Sequence, residues 1–212
     1  MTRAARRIMH PAGVSGTSLR LHGKRVMLRP LGSQDFEAWS EVRNRNNSWL
    51  QPWEPQVPPN TADPSKNREA FSIRCSARDR ERTTGNNFSF GIFVDGVFAG
   101  EVNLNNVIRG AMQCCTIGYW IDEARAGNGY IAEAVVLLSR FAFDELRLHR
   151  IEVCIIPRNI NSRRVMEKLE FREEGMAQRY LEINGVWEDH IRYGFTVEEW
   201  ENRAEHLAKT WL

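Results

Sequence analysis

The chain has 212 residues, 42% of them hydrophobic and 10% aromatic, which is enough apolar material for one sizeable core and a single domain. A formal net charge of +2 gives no global electrostatic reason to expect direct nucleic-acid binding or adhesion to an acidic membrane. No apolar run approaches the roughly 18 residues of a spanning helix, and the N-terminus lacks the hydrophobic stretch of a secretory signal, so a soluble cytoplasmic protein is expected.

The basic, loosely composed stretch 1–18 is expected to be disordered, with one domain over 19–212. RVMLRPL (25–31) alternates as a first strand, and Ser33-Gln34-Asp35 opens a helix carrying Phe36, Trp39 and Val42 on one face to about Asn46. Pro52, Pro55, Pro58, Pro59 and Pro64 then exclude a long regular element, before a polar helix from about Ser65 to Arg82. NFSFGIFVDGVFAGEVNLNNV holds two strands joined by Asp95-Gly96, a hairpin dipeptide, and MQCCTIGYWI (112–121) adds a third antiparallel neighbour.

From Asn128 to about Leu146, apolar residues at three- and four-residue steps describe one face of an amphipathic helix. IEVCII (151–156) is a buried strand stopped by Pro157, and NSRRVMEKLEF a short helix. Two strands near 174–183 and 186–196, joined by Asn184-Gly185, lead to a C-terminal helix with Thr196 as its N-cap. The fold class is α/β, with a mixed, mainly antiparallel sheet flanked by helices. Cys75, Cys114, Cys115 and Cys154 lack C-x-x-C spacing and with five scattered histidines outline no zinc site, so no metal and no disulfide is expected.

EARAGNGYIAEA (123–134) places Gly127 and Gly129 between a strand and a helix. Glycines there leave backbone N–H groups bare beside a helix N-terminus, a ready anion site, although a tight loop without ligand has the same composition. GNGYIA also fits a dinucleotide fingerprint, but the following strand ends in Pro157 rather than a ribose-binding acid and only one strand-helix-strand crossover is visible. No Lys-Ser or Lys-Thr follows the glycines, which excludes a P-loop.

A pyrophosphate loop reached from an antiparallel sheet, then a crossover, a strand and a second helix at PRNINSRRVMEKLEF, resembles the GNAT N-acetyltransferase superfamily over about residues 20–200. The blocks NNSWLQPWEP, NNVIRG, IGYWIDEARAGNGYIAEA, PRNINSRRVMEKLEFREEG and YLEINGVWEDH resemble its RimJ/RimL branch of ribosomal-protein alanine or serine N-terminal acetyltransferases. The resemblance implies acetyl-CoA as co-substrate, no metal, and a peptide N-terminus as acceptor. It also implies a pyrophosphate loop of Ala126, Gly127, Asn128, Gly129, Tyr130 and Ile131. The family's leading Arg or Gln is replaced by Ala126, with Arg125 one position early to compensate for charge.

Acetyl transfer from a thioester to an amine needs the amine neutral, yet an α-amino group has a pKa near 7.7–8.0, so a base or a water relay to one must take a proton. By the resemblance Glu123 is the first candidate and Glu101, on an adjacent strand, the second; either also reads as a structural acid. Ser162 of Asn159-Ile160-Asn161-Ser162 matches the serine that protonates the departing thiolate, though an N-cap hydroxyl is the competing reading, and Asn159 matches a cofactor-contacting asparagine. The backbone at Trp120 and Ile121 is expected to pair with pantetheine amides, and Trp49, Trp53, Tyr180, Trp187 and His190 to flank the acceptor. A small amine acceptor or a CoA-binding module without turnover remain alternatives, as do a monomer and a homodimer.

Overall fold

The Asp95-Gly96 and Asn184-Gly185 dipeptides both turn with positive φ at each position (52° and 77°, 48° and 82°), the geometry that matches strand twist in a two-residue hairpin. They join β3 (Phe88–Val94) to β4 (Val97–Ile108) and β7 (Arg172–Ile183) to β8 (Val186–Thr196). In the computed structural model, which describes residues 19–212, these hairpins belong to one eight-stranded sheet. It also contains β1 (Leu21–His22), β2 (Val26–Arg29), β5 (Cys114–Ile121) and β6 (Arg150–Ile155), in the order β1-β2-β3-β4-β5-β6-β8-β7. Every neighbouring pair is antiparallel except β5 and β6, because the helix between those two returns the chain to the same end of the sheet. The expected mixed, mainly antiparallel sheet and the β3-β4-β5 meander are present; the expected disordered segment 1–18 lies outside the described residues.

Helices cover both faces. On one, α1 (Phe36–Arg45), followed by the single turn α2 (Asn47–Leu50), and α3 (Arg68–Thr84) bury Trp39, Val42 and Phe71 against Phe93 and Phe98 of the sheet. On the other, α4 (Tyr130–Arg140) and α6 (Val197–Trp211) enclose the main core, with Leu138, Phe141, Phe143, Phe195 and Trp200 in one cluster. Thr196 caps α6 as its sequence suggested, accepting from the Glu199 N–H while the Glu199 carboxylate accepts from the Thr196 N–H at 2.7 Å.

Three expectations need correction. The first strand is shorter than 25–31, because Pro30 cannot continue the ladder, and it pairs with the two-residue β1. The polar helix starts at Arg68, where the Asn67 side chain accepts from the Ala70 N–H at 2.9 Å, while Ser65 sits in the preceding turn. The central helix buries every residue from Ile131 to Ser139 rather than one face, since the sheet and α6 enclose it, and its last turn (Phe141–Glu145) is π-helical, with Leu146 N–H reaching Phe141 C=O at 3.0 Å.

Candidate active site

β5 and β6 pair at three positions only, Cys114 with Arg150, Cys115 with Ile151 and Thr116 with Glu152. Beyond Thr116 they part, and a cleft of about 780 Å³ opens between Ile117, Gly118 and Tyr119 on one wall and Val153, Cys154 and Ile155 on the other. Side chains alternate along β5, so Tyr119 and Ile121 face the α4 side while Gly118 and Trp120 face the α1 side, and the cleft is lined from both faces of the sheet. Residues 117–121 keep β4 on one edge alone, and the other edge offers its amides to a ligand that can pair like a strand.

At the end of β5 the chain is pinned before it turns. Buried Asp122 accepts from Arg45 at 2.5 Å and from Asn46 at 2.8 Å, and the Asn46 side-chain oxygen accepts from the Glu123 N–H at 2.9 Å. The chain then makes a 3-10 turn, Glu123–Arg125, and passes through Gly127 (φ 80°) and Gly129 (φ 83°) into α4. No side chain caps α4, so the N–H groups of its first turn remain available to an anion. Buried Glu133 anchors this helix start to β2, accepting from the Arg25 N–H at 2.6 Å, the Val26 N–H at 2.9 Å and Arg25 Nε at 3.0 Å. Arg125, Arg164 and Lys168 line the cleft and add positive charge beside the loop. Arg164 and Lys168 were missed from the sequence, although their i,i+4 spacing on α5 (Ile160–Lys168) puts them on one face.

Most of the expected donor-side residues come together: Trp120, Ile121, Ala126, Gly127, Gly129, Tyr130, Ile131, Asn159 and Ser162 all line the cleft. Asn128 does not; its side chain folds back to the Arg125 and Ala126 carbonyls, and its own carbonyl accepts from Arg25 at 2.9 Å. The Ile121 carbonyl accepts from Trp49 Nε1 at 3.2 Å. Asn159 is the N-cap of α5, its Oδ1 accepting from the Ser162 N–H at 3.1 Å. This corrects the competing reading of Ser162 as the cap: its hydroxyl instead interacts with the Tyr119 phenol.

Glu101 does not present a free carboxylate to the cleft. Its carboxylate is buried away from the cleft lining, accepting from Trp39 Nε1 at 3.2 Å, Trp120 Nε1 at 3.1 Å, Arg74 at 2.7 and 2.9 Å and Arg78 at 3.2 Å. Burial alone would raise its pKa, but the two guanidiniums and the hydrogen bonds outweigh that and hold the carboxyl at about 2. Glu101 instead fixes Trp120 from behind. Glu123 is exposed, outside the cleft lining, with a carboxylate that has no partner among the described residues.

On the acceptor side Trp49, Trp53 and His190 line the cleft, together with Glu54, Asn103 and Cys154. Burial pushes the Cys154 thiol up. Tyr180 stands behind His190, its ring edge-on at 5.7 Å, and exposed Trp187 lies away from the lining, so neither reaches the cleft as expected. An arch closes this side: Arg158 stacks on Trp53 (4.8 Å), bonds Glu188 at 2.5 Å and reaches the Pro52 carbonyl at 3.5 Å, and the Asn184 N–H donates to the Glu54 carbonyl at 2.9 Å. Among the described residues no cluster suits a metal ion, and no helix is long and apolar enough to cross a membrane.

Against known families, residues 25–172 match the acetyltransferase (GNAT) domain. The chain belongs to the GNAT acetyltransferase family. It is an acyltransferase of the N-acetyltransferase type. A Bacillus subtilis protein named probable N-acetyltransferase YjcK is 39% identical over 172 residues, covering 80% of this chain and 93% of that relative. The ribosomal protein uS5 alanine N-acetyltransferase of Escherichia coli is 29% identical, covering 86% and 93%. Among solved structures, Mycobacterium smegmatis RimJ in complex with CoA-disulfide superposes with a TM-score of 0.82 at 35% identity, covering 95% of this chain and 97% of that one.

Proposed function

We propose that this GNAT acetyltransferase uses acetyl-CoA to acetylate the α-amine of a protein N-terminus, with a ribosomal protein as the acceptor, in the cytoplasm. The observation that carries the reading is the divergence of β5 and β6, which joins a donor wall with a glycine loop and basic residues to an aromatic acceptor wall in one cleft. When bound, acetyl-CoA supplies an acyl thioester open to attack by an amine. The residues fit it: Gly127, Gly129 and the first turn of α4 offer N–H groups to a pyrophosphate, Arg125, Arg164 and Lys168 offer charge, and the free edge of β5 offers amides.

Within this reading Ser162, its hydroxyl beside the Tyr119 phenol, supplies the proton at the donor side, and Asn159 fixes its backbone. Glu123, with a carboxylate free of partners among the described residues, takes the amine proton through water. The protein acceptor is supported by the names of the Escherichia coli and Mycobacterium smegmatis proteins and by the acceptor wall. Among the described residues Glu54 is the one acid that lines the cleft, and Arg43 already pairs with it at 2.7 Å, so a polycationic small amine finds little complementary charge.

Purified protein with acetyl-CoA, assayed by mass spectrometry against peptides of differing first residue and a panel of small amines, tests the proposal. Acetylation of peptide N-termini beginning with Ala or Ser is expected. Transfer to small amines alone would overturn the protein acceptor, and cofactor binding without transfer to any amine would overturn the catalytic reading of these residues.

A further inference from the structure

We infer that Asn103 is an acceptor-binding residue, its side-chain oxygen taking a hydrogen bond from an N–H of the incoming amine; this rests on the acetyl-transfer reading above. Asn103 lies on β4 directly opposite Gly118 of β5 and lines the cleft. Its Oδ1 is buried and has no hydrogen-bond partner among the described residues. A buried acceptor left unpaired is costly, and native structures seldom keep one without a use. Glu101, two residues earlier on the same face, has its carboxylate engaged by four side chains; Asn103 Oδ1 has none.

Gly118, opposite Asn103, adds no side chain to this part of the cleft. A Cβ at Gly118 would meet only Asn105 Nδ2, at 3.5 Å, so the backbone does not demand a glycine there and the missing side chain leaves open space on this face, opposite Asn103. That space lies two residues past the last β5–β6 pair, Thr116 with Glu152, on the face shared with Trp120 and Cys154. A neutral amine still carries N–H groups after it has lost its proton. A carboxamide oxygen accepts one of them without competing for the proton itself, so Asn103 orients the amine while another group deprotonates it.

The test is steady-state kinetics at saturating acetyl-CoA, with the peptide acceptor varied, for wild type, Asn103→Leu, Asn103→Asp and Gly118→Val. Leu keeps the size of Asn and removes the acceptor atom; Asp keeps an oxygen. Asn103→Leu is expected to raise the acceptor KM roughly tenfold, the order expected of one hydrogen bond, with the acetyl-CoA KM unchanged. Asn103→Asp, which keeps an acceptor oxygen, is expected to lie closer to wild type than Asn103→Leu, and Gly118→Val, which places a side chain directly opposite Asn103, to resemble Asn103→Leu. Should Asn103→Leu fail to fold, Gly118→Val and Asn103→Ser carry the comparison. An unchanged acceptor KM in the folded variants, or an Asp variant as impaired as the Leu variant, overturns the role of Asn103 in an enzyme that still transfers acetyl to peptides. A wild-type protein that acetylates no amine overturns both readings.

Discussion

The Tyr119 hydroxyl donates to the Ser162 carbonyl at 3.2 Å, joining β5 to α5 across the gap where β5 and β6 part. Burial pushes the Tyr119 phenol well above its ordinary pKa, so it stays a donor throughout the working range. Removing the hydroxyl alone removes this tie between β5 and α5. Tyr119→Phe is expected to cost about 1 kcal/mol, seen calorimetrically as a fall in Tm of about 2–4 °C. An unchanged Tm would show that this tie carries no weight.

Ser162 and Asn159 divide two duties that the sequence leaves entangled. Asn159→Ala removes the α5 cap and should cost about 1 kcal/mol of stability. Ser162→Ala should lower Tm less than Asn159→Ala does and lower kcat, by about 100-fold if the hydroxyl is a general acid, with acetyl-CoA affinity retained in calorimetry. A normal kcat in Ser162→Ala excludes it as the proton donor.

Glu123→Gln keeps the shape of an exposed side chain and removes its basicity. The expectation is a fall in kcat of about 100-fold or more and a KM for acetyl-CoA close to wild type. Should kcat at saturation stay normal, the proton leaves by another route.

Glu101 makes stability depend on acid. Its folded pKa of about 2 lies below the ordinary 4.5, so its stabilisation is fully present above about pH 4.5 and is lost as the pH falls toward 2. The shift corresponds to on the order of 3 kcal/mol. Glu101→Gln should therefore be destabilised at pH 7, and the difference from wild type in urea titrations should shrink between pH 4.5 and 3. A difference independent of pH would mean that the ion pairs with Arg74 and Arg78 are not its source.

The two loop glycines should respond unequally. A Cβ at Gly127 meets nothing within 4 Å, whereas one at Gly129 would lie 3.1 Å from the Trp211 ring and 3.3 Å from the Arg25 guanidinium. Both positions have positive φ, so each Ala variant bears about 1 kcal/mol of backbone strain. Gly129→Ala adds crowding and should melt lower than Gly127→Ala. Equal Tm values would show that Trp211 and Arg25 move aside.

Signals carried by neighbouring residues were legible in the sequence. Asp95-Gly96 and Asn184-Gly185 fix two hairpins, Thr196 caps α6, and the glycines between β5 and α4 mark the loop. Contacts made over long separations were not. Glu101 reads like any strand acid until α3 lies over β4 and brings Arg74 and Arg78, one turn apart on a helix whose polarity suggested only solvent. Asn46 looks like a helix end, and it is one, but its clasp on Asp122 and Glu123 spans 76 and 77 residues. The space opposite Asn103 needs two strands in register before the glycine there has a meaning.

The early parting of β5 and β6 also has a dynamic consequence. Interior strands of a sheet ordinarily hold their amide protons longest, because opening them requires much of the domain to open. β5 has neighbours on both sides in an eight-stranded sheet, yet past Thr116 it keeps only one of them. Its final residues therefore surrender deuterium-exchangeable protons as a sheet margin does, from the middle of the molecule. A ligand that completes the ladder would slow them, which makes exchange at residues 117–121 a reporter of donor occupancy that needs no acceptor and no turnover.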